Sequence, residues 1–274
     1  MTDLLNQKSH FAFGKNWQSF AGLVDDKRIA ASDAGIRRLF PGDELRGKSV
    51  IDIGCGSGLP ALSILRAGAD HVTCVDIDPN SVAATRKTLG ALAPKTAWTA
   101  EVASVFDLTG QYDVVHSWGV LHHTGDMWKA IDKAASLVKP GGLLAISIYG
   151  KTLLCGLWLK EKRFYAKAPK AVQKIVLVVY AAVVLAGQTI KGKNPFKTLG
   201  SSCERGMDWL HDLHDWLGGY PYESAGPEEI MAAMTANCFE RVRENGRCGE
   251  RFGLVGSVCN EFVYRRRSLV SEAG

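Results

Sequence analysis

Short, nearly unbroken apolar runs recur along the first half of the chain, and each stops at turn residues. The clearest are Val50-Ile51-Asp52-Ile53, His71-Val72-Thr73-Cys74-Val75-Asp76 and residues 96–102, 112–118 and 143–149. Runs of this length, rich in Val and Ile and bounded by Gly, Pro or Asp, predict buried strands. Between them the period lengthens. Residues 29–40 read as a helix that Pro41-Gly42-Asp43 stops, and Leu62, Ile64 and Leu65 give the next helix an apolar face that Gly68 ends. Asp78 and Asp126 stand where helix N-caps belong, the second opening a helix through Leu137. Lys139-Pro140-Gly141-Gly142 reads as a turn. Strands alternating with helices in this way predict a doubly wound α/β fold on a parallel sheet.

The first strand breaks into Gly54-Cys55-Gly56-Ser57-Gly58, and a helix follows with Pro60 in its first turn. Alternating glycines let the backbone turn tightly and let a ligand lie against it. No Lys-Ser/Thr pair follows, so the turn is not a phosphate-cradling loop. Ala61 stands where the third glycine of a dinucleotide fold would fall. Asp52 lies inside the apolar run, two residues before Gly54. An acid ahead of a glycine turn with no phosphate anchor suits a nucleoside that carries a positive amine. Asp76 ends the second strand 22 residues after Gly54, where an acid is placed to accept from ribose hydroxyls. Ligands of such sheets lie beyond the carboxyl ends of the strands. The glycine turn, Asp76, residues 104–107, residues 118–123 and Tyr149 all fall there.

Taken together, these segments resemble class I S-adenosylmethionine (SAM)-dependent methyltransferases, and most nearly the ubiquinone/menaquinone-type small-molecule enzymes. The resemblance rests on Ile51-Asp52-Ile53-Gly54-Cys55-Gly56-Ser57-Gly58, Val75-Asp76-Ile77-Asp78, Ser117-Trp118-Gly119-Val120-Leu121-His122-His123 and Lys139-Pro140-Gly141-Gly142. Phe13-Gly14-Lys15-Asn16-Trp17 and residues 215–223 resemble one bacterial subgroup of these enzymes. The resemblance implies a seven-stranded Rossmann-like sheet whose last strand is antiparallel, closed by residues 239–243 and 259–264. About 85 residues separate the fifth strand from these closing strands, too many for an unstructured loop, and imply a helical cap. The implied organisation is an N-terminal helical arm or lid over 1–40, a SAM-binding core over 41–150, a cap inserted over 151–226, and a closing helix and strands over 227–274.

The resemblance also implies a cofactor pose. Gly54, Gly56 and the loop backbone through Gly58 face the methionine part, with Asp52 near its ammonium. Asp76 holds the ribose, Ile77 packs on the adenine, Ser104 and Val105 border the adenine edge, and Ser117 and Trp118 lie along the methionine. The protein must then align an acceptor with the methyl carbon and often remove one proton. Histidine suits that task, with an unperturbed pKa of ~6.5. His123 is the first candidate base and His214 the second, and Tyr149 is a further catalytic candidate. Phe13, Trp17, His122, Asp212, Asp215, Tyr220 and Tyr222 are the candidate substrate contacts. If residues 205–216 are helical, His211 and Asp215 share a face, as do Asp208, His211 and Asp212. That spacing suits a metal, substrate hydroxyls or a general base. No metal is expected, because methyl transfer from SAM needs no Lewis acid. The expected acceptor is a small molecule, methylated at oxygen and hydrophobic or membrane-associated. A nucleic-acid methyltransferase and a non-catalytic SAM-binding or membrane-adaptor protein are the competing readings.

Composition narrows this further. The 274 residues are 46% hydrophobic and 22% charged, ordinary for a globular protein. The first residues hold no signal-like apolar stretch, and the seven cysteines are scattered without a C-x-x-C pair. Reduced thiols and a cytoplasmic protein are therefore expected, with neither a disulfide frame nor structural zinc. Charge is uneven. From Lys151 to Gly200 there are ten basic side chains and one acidic, a net of +9 within a chain of +5, so the remainder carries −4. Nucleic acid is not the expected partner of these cations. Residues 175–187 are uncharged, shorter than the ~20 apolar residues of a membrane span. Lys167, Lys170 and Lys174 precede them, and Lys191, Lys193 and Lys197 follow. The unbroken apolar pattern favours a buried cap helix or a homodimer interface. The alternative is peripheral contact with anionic lipid through 151–200.

Overall fold

The computed structural model describes residues 24–190, 209–246 and 256–268, together with Gly14, Trp17, Gly192 and Asn194. Phe13 lies outside the described residues. Among the described residues the α-helices and strands are, in order, α1 (Asp26–Leu39), β1 (Ser49–Ile53), α2 (Leu59–Arg66), β2 (His71–Asp76), α3 (Pro79–Leu92), β3 (Trp98–Val102), β4 (Tyr112–Trp118), α4 (Met127–Ser136), β5 (Val138–Tyr149), α5 (Cys155–Lys167), α6 (Lys170–Ile190), α7 (Trp209–Gly218), α8 (Pro227–Ala236), β6 (Phe239–Asn245) and β7 (Cys259–Arg266).

The strands form one sheet in the order β3-β2-β1-β4-β5-β7-β6. β1 to β5 run parallel, and β7 is antiparallel to both β5 and β6. This is the expected doubly wound seven-stranded sheet with an antiparallel last strand. Its order reverses between β1 and β4, which opens a crevice at their carboxyl ends. Neighbouring residues of a strand point to opposite faces, and both faces are covered. Val50, Val72, Cys74 and Val114 pack with Ile29, Ile36, Leu62 and Leu89 of α1, α2 and α3. Ile51, Val75, Val115 and Leu144 pack with Ile131 and Ala134 of α4 and with Ile230 and Met234 of α8.

The predicted caps form. Asp78 Oδ1 accepts from Asn80 N at 2.8 Å, and Asp126 accepts from Lys129 N at 3.4 Å. The expected turn at Lys139-Pro140-Gly141-Gly142 sits inside β5 as an irregularity. Pairing jumps from Tyr112 opposite Val138 to Val114 opposite Leu143. A Cβ at Gly142 would stand 2.7 Å from the Asp113 carbonyl oxygen, so only glycine lets the strands approach there.

After β5 the chain forms α5, α6 and α7. Tyr165 of α5 and Leu217 of α7 pack together, and Trp209 and Leu213 of α7 pack on Ala181 of α6. α6 corrects two expectations. It is 21 residues long, and its length and composition suffice to cross a membrane. It is also not buried. Ala181 is its one buried residue, while Ile175 (64%), Val178 (60%), Val179 (58%) and Val183 (57%) are each more than half exposed. Its packing, chiefly against α7, leaves the outer face bare among the described residues.

Candidate functional site

A cavity of about 970 Å³ runs along the carboxyl ends of the strands and under α6 and α7. At one end, β1 gives way to the glycine turn. Gly54 has φ +78, and a Cβ there would meet a Val120 methyl at 2.3 Å. Gly54, Cys55 and Ser57 line the cavity, but Gly56 and Gly58 do not. Their roles differ from the expected ligand contact. A Cβ at Gly56 would press on the Trp17 indole at 3.0 Å, and one at Gly58 on the Thr85 backbone of α3 at 3.0 Å. These two glycines shape the turn and let α2 and α3 close behind it.

Asp52 is buried on the cavity wall. Its Oδ1 accepts from His116 Nδ1 at 2.7 Å, and its Oδ2 is buried with no hydrogen-bond partner among the described residues. His116 also lines the cavity and was not anticipated. The signal was available: it is the one imidazole within the apolar run of β4, and it sits directly opposite Asp52. Asp76 Oδ2 accepts from Gly56 N at 3.2 Å and its Oδ1 from Asp78 N at 2.9 Å. Burial pushes the Asp76 carboxyl up to about 6, against the pull of those two donors. Ile77, Ser104 and Val105 continue the wall, as does Trp17. Ser104 Oγ accepts from Phe106 N at 3.4 Å and so fixes the short 3₁₀ turn Val105–Asp107.

Trp118 lines the cavity too, and its Nε1 donates to Glu261 Oε1 at 2.8 Å. Arg38 grips the same carboxylate with two hydrogen bonds, at 2.9 and 2.7 Å. Ser117 is placed otherwise than expected. Side chains alternate along a strand, so it points behind the wall, where its Oγ donates to the Ile53 carbonyl at 3.0 Å.

The other end of the cavity lies beneath the helices that follow β5. His123, Thr124, Tyr149, Tyr180, Val184, Asp212, Asp215 and Trp216 line it. His123 Nδ1 donates to the Pro221 carbonyl at 2.6 Å. A carbonyl only accepts, so the neutral ring carries its lone pair on Nε2. Gly219 makes room for this imidazole, since a Cβ there would stand 2.7 Å from His123 Cε1. The Tyr149 ring meets both His123 and Trp216 edge-on, at 5.4 and 5.2 Å between centroids. Asp212 and Asp215 are one turn apart on α7, as the helical spacing predicts.

At this end four further expected residues stand off the wall. His122 is fully buried behind Tyr149, with ring centroids 3.9 Å apart, and supports it from below. His214 faces away because the α7 turn that sends Asp212 and Asp215 to the cavity sends it to α5. There its Nδ1 shares a hydrogen bond with Tyr165 Oη at 2.8 Å. Tyr222 is buried, and its hydroxyl bonds Ser257 Oγ at 2.6 Å and donates to Cys155 Sγ at 3.4 Å. Tyr220, next to Pro221, is not on the wall either. Behind Trp216, the fully buried Lys162 places Nζ 3.4 Å from the indole centroid and donates to the Trp216 carbonyl. Burial pulls the pKa of that ammonium well below its ordinary value.

A sequence profile described as a methyltransferase domain matches residues 25–219. Over 113 residues the chain is 39% identical to a ubiquinone biosynthesis O-methyltransferase of Xanthomonas euvesicatoria, a match that covers 40% of this chain and 46% of that one. The chain thus spans about half the length of the curated relatives it matches. Among solved structures it is similar to a magnesium protoporphyrin IX methyltransferase from Synechocystis PCC 6803 with bound S-adenosylhomocysteine (SAH). The TM-score is 0.53 at 21% identity, covering 87% of this chain and 83% of that one. An S-adenosylmethionine-dependent methyltransferase from Mesorhizobium loti matches with a TM-score of 0.52 at 18% identity, covering 86% and 98%. These structures share the fold.

Proposed function

The chain belongs to the methyltransferase domain family, and from that membership we propose that it transfers the methyl group of SAM to an oxygen of a small, largely apolar acceptor. One observation carries the proposal: a single cavity joins the glycine turn, with Asp52 and Asp76, to a second end holding His123, Tyr149 and Trp216. The residues fit the cofactor. Asp52 Oδ2, buried and lacking a hydrogen-bond partner among the described residues, is an acceptor suited to an ammonium. Asp76 would take the ribose hydroxyls and Ile77 the adenine. SAM supplies a methyl group on a sulfonium that is its own leaving group.

The protein's part is to position the acceptor and receive its proton. Tyr149, Trp216 and Tyr180 give flat apolar walls for a ring, and Asp212 and Asp215 accept from its hydroxyl groups. His123 Nε2 takes the proton of the reacting hydroxyl, and the Pro221 carbonyl holds the imidazole in the tautomer that allows it. Asp212 and Asp215 repel phosphates, which supports a small acceptor over nucleic acid. The cavity size also suits a cofactor and a small acceptor together, since such sites run from ~300 to ~1,000 Å³.

The test is His123→Ala, assayed with catechols and other phenols by product chromatography and with SAH by calorimetry. Turnover is expected to fall by about 100-fold or more, with SAH affinity unchanged. Wild-type turnover in the variant would remove His123 as the base. Firm SAH binding without product from any hydroxyl acceptor would point instead to a non-catalytic binding protein.

A further inference from the structure

We propose that α6 docks the protein on the surface of an anionic lipid bilayer, with the outer face of the helix among the acyl chains and the neighbouring lysines among the headgroups. The inference stands apart from the chemistry proposed above and needs no turnover to be tested.

The exposed side chains of α6 recur at helical spacing. Ile175, Val178, Val179, Ala182, Val183 and Ala186 form one outward face without a polar residue. The inner face is engaged: Leu177, Tyr180, Val184 and Leu185 pack around Trp209 and Leu213 of α7. A helix whose outward face is apolar from Ile175 to Ala186, with Lys174 before that stretch and Thr189 after it, has no favourable partner for the stretch in water. The helix before it repeats the feature. Leu157 and Phe164 of α5 are each 59% exposed.

Charge selects the partner. Lys160, Arg163 and Lys167 on α5 and Lys170 and Lys174 on α6 are exposed, within the region of net +9. Each such cation near an anionic membrane contributes about 1 kcal/mol of attraction. A two-fold dimer through the same face would set one region of net +9 against another, because the patch must meet itself. An anionic surface has no such conflict. The helix lies on the bilayer and does not cross it, because its inner face is fixed on α7 and supplies Tyr180 and Val184 to the cavity wall. An acceptor dissolved in lipid would thus meet the cavity at α6.

The full chain is floated with vesicles of phosphatidylcholine alone and of phosphatidylcholine with phosphatidylglycerol, at low and high salt. The wild type is expected to float with the anionic vesicles at low salt and largely to stay down with the neutral ones. Val178→Glu with Val183→Glu, and separately Lys170→Glu with Lys174→Glu, should lose most of that flotation while keeping wild-type SAH affinity and circular dichroism. Flotation unaffected by either pair of changes overturns the proposal. So does failure of the wild type to float on anionic vesicles. A stable dimer in ultracentrifugation that the valine changes convert to monomer would assign the face to a second copy. Retention on vesicles after an alkaline carbonate wash would assign it to a span.

Discussion

In the proposed site, Asp76 would trade stability for binding. Its carboxyl is pushed to about 6 from an ordinary 3.8, chiefly by burial. The folded protein therefore binds that proton more tightly than the unfolded chain. Below about pH 4 both states are protonated and nothing is lost. As pH rises to about 6 the unfolded chain releases the proton first, stability falls, and above 6 the cost is constant. Asp76→Asn should thus raise the melting temperature of the ligand-free protein at pH 7.5, read by scanning fluorimetry. The same change should weaken SAH by about 10-fold or more, because a charged acceptor of hydroxyl donors is lost. Wild-type SAH affinity should itself decline below about pH 6, while that of Asp76→Asn stays flat. A variant that binds SAH as tightly as the wild type would remove Asp76 from the ribose. The place of Asp52 and Asp76 on the cavity wall is legible because an acid inside or ending an apolar run is conspicuous. His122, His214 and Ser117 were misplaced because sequence proximity does not say which side of a turn, helix or strand a residue takes. Ser117 lies beside Trp118 on β4, and the strand's alternation sends only the tryptophan to the cavity.

At the scale of elements, α1 is held to β7 by Arg38 and Glu261, and Trp118 at the end of β4 joins the same carboxylate. Glu261 is nearly buried, whereas Arg38 is partly in solvent, so the pair is worth less than a wholly buried one. Glu261→Gln keeps the shape but removes the charge that takes a two-pronged guanidinium. It should cost about 1–2 kcal/mol of stability and raise hydrogen exchange in α1 above that in α3, which has no part in the network. Equal exchange in both helices would show that the network does not fasten α1. The sequence pattern marked α1 and β7 as elements, but their ion pair spans 223 positions and has no local signature. α6 fails to read for a related reason. Its apolar composition is plain, yet burial depends on how many neighbours arrive, and α7 covers only the inner side. An unbroken apolar pattern therefore fits a buried helix and a docked one equally well.

The whole molecule is polar in charge: residues 151–200 carry +9 and the rest −4. On an anionic surface this asymmetry turns the α5–α6 side towards lipid, and exposed charges feel that field only within a Debye length of ~8 Å at physiological salt. Tyr180 and Val184 join that side to the cavity, so orientation and access to the acceptor end are linked. A catechol with a long alkyl chain partitions into vesicles, whereas the same catechol without the chain stays in water. Anionic vesicles should therefore lower KM for the long-chain acceptor relative to neutral vesicles and leave the short one nearly unchanged. High salt should erase the difference. Val178→Glu with Val183→Glu should abolish the vesicle effect yet preserve turnover of the short acceptor, since neither side chain lines the cavity. Equal loss on both acceptors would mean that the changes disturb the site itself. A vesicle effect that survives the double change would separate acceptor delivery from α6. The comparison of two acceptors divides docking from catalysis because only the long-chain one has to leave a membrane to react.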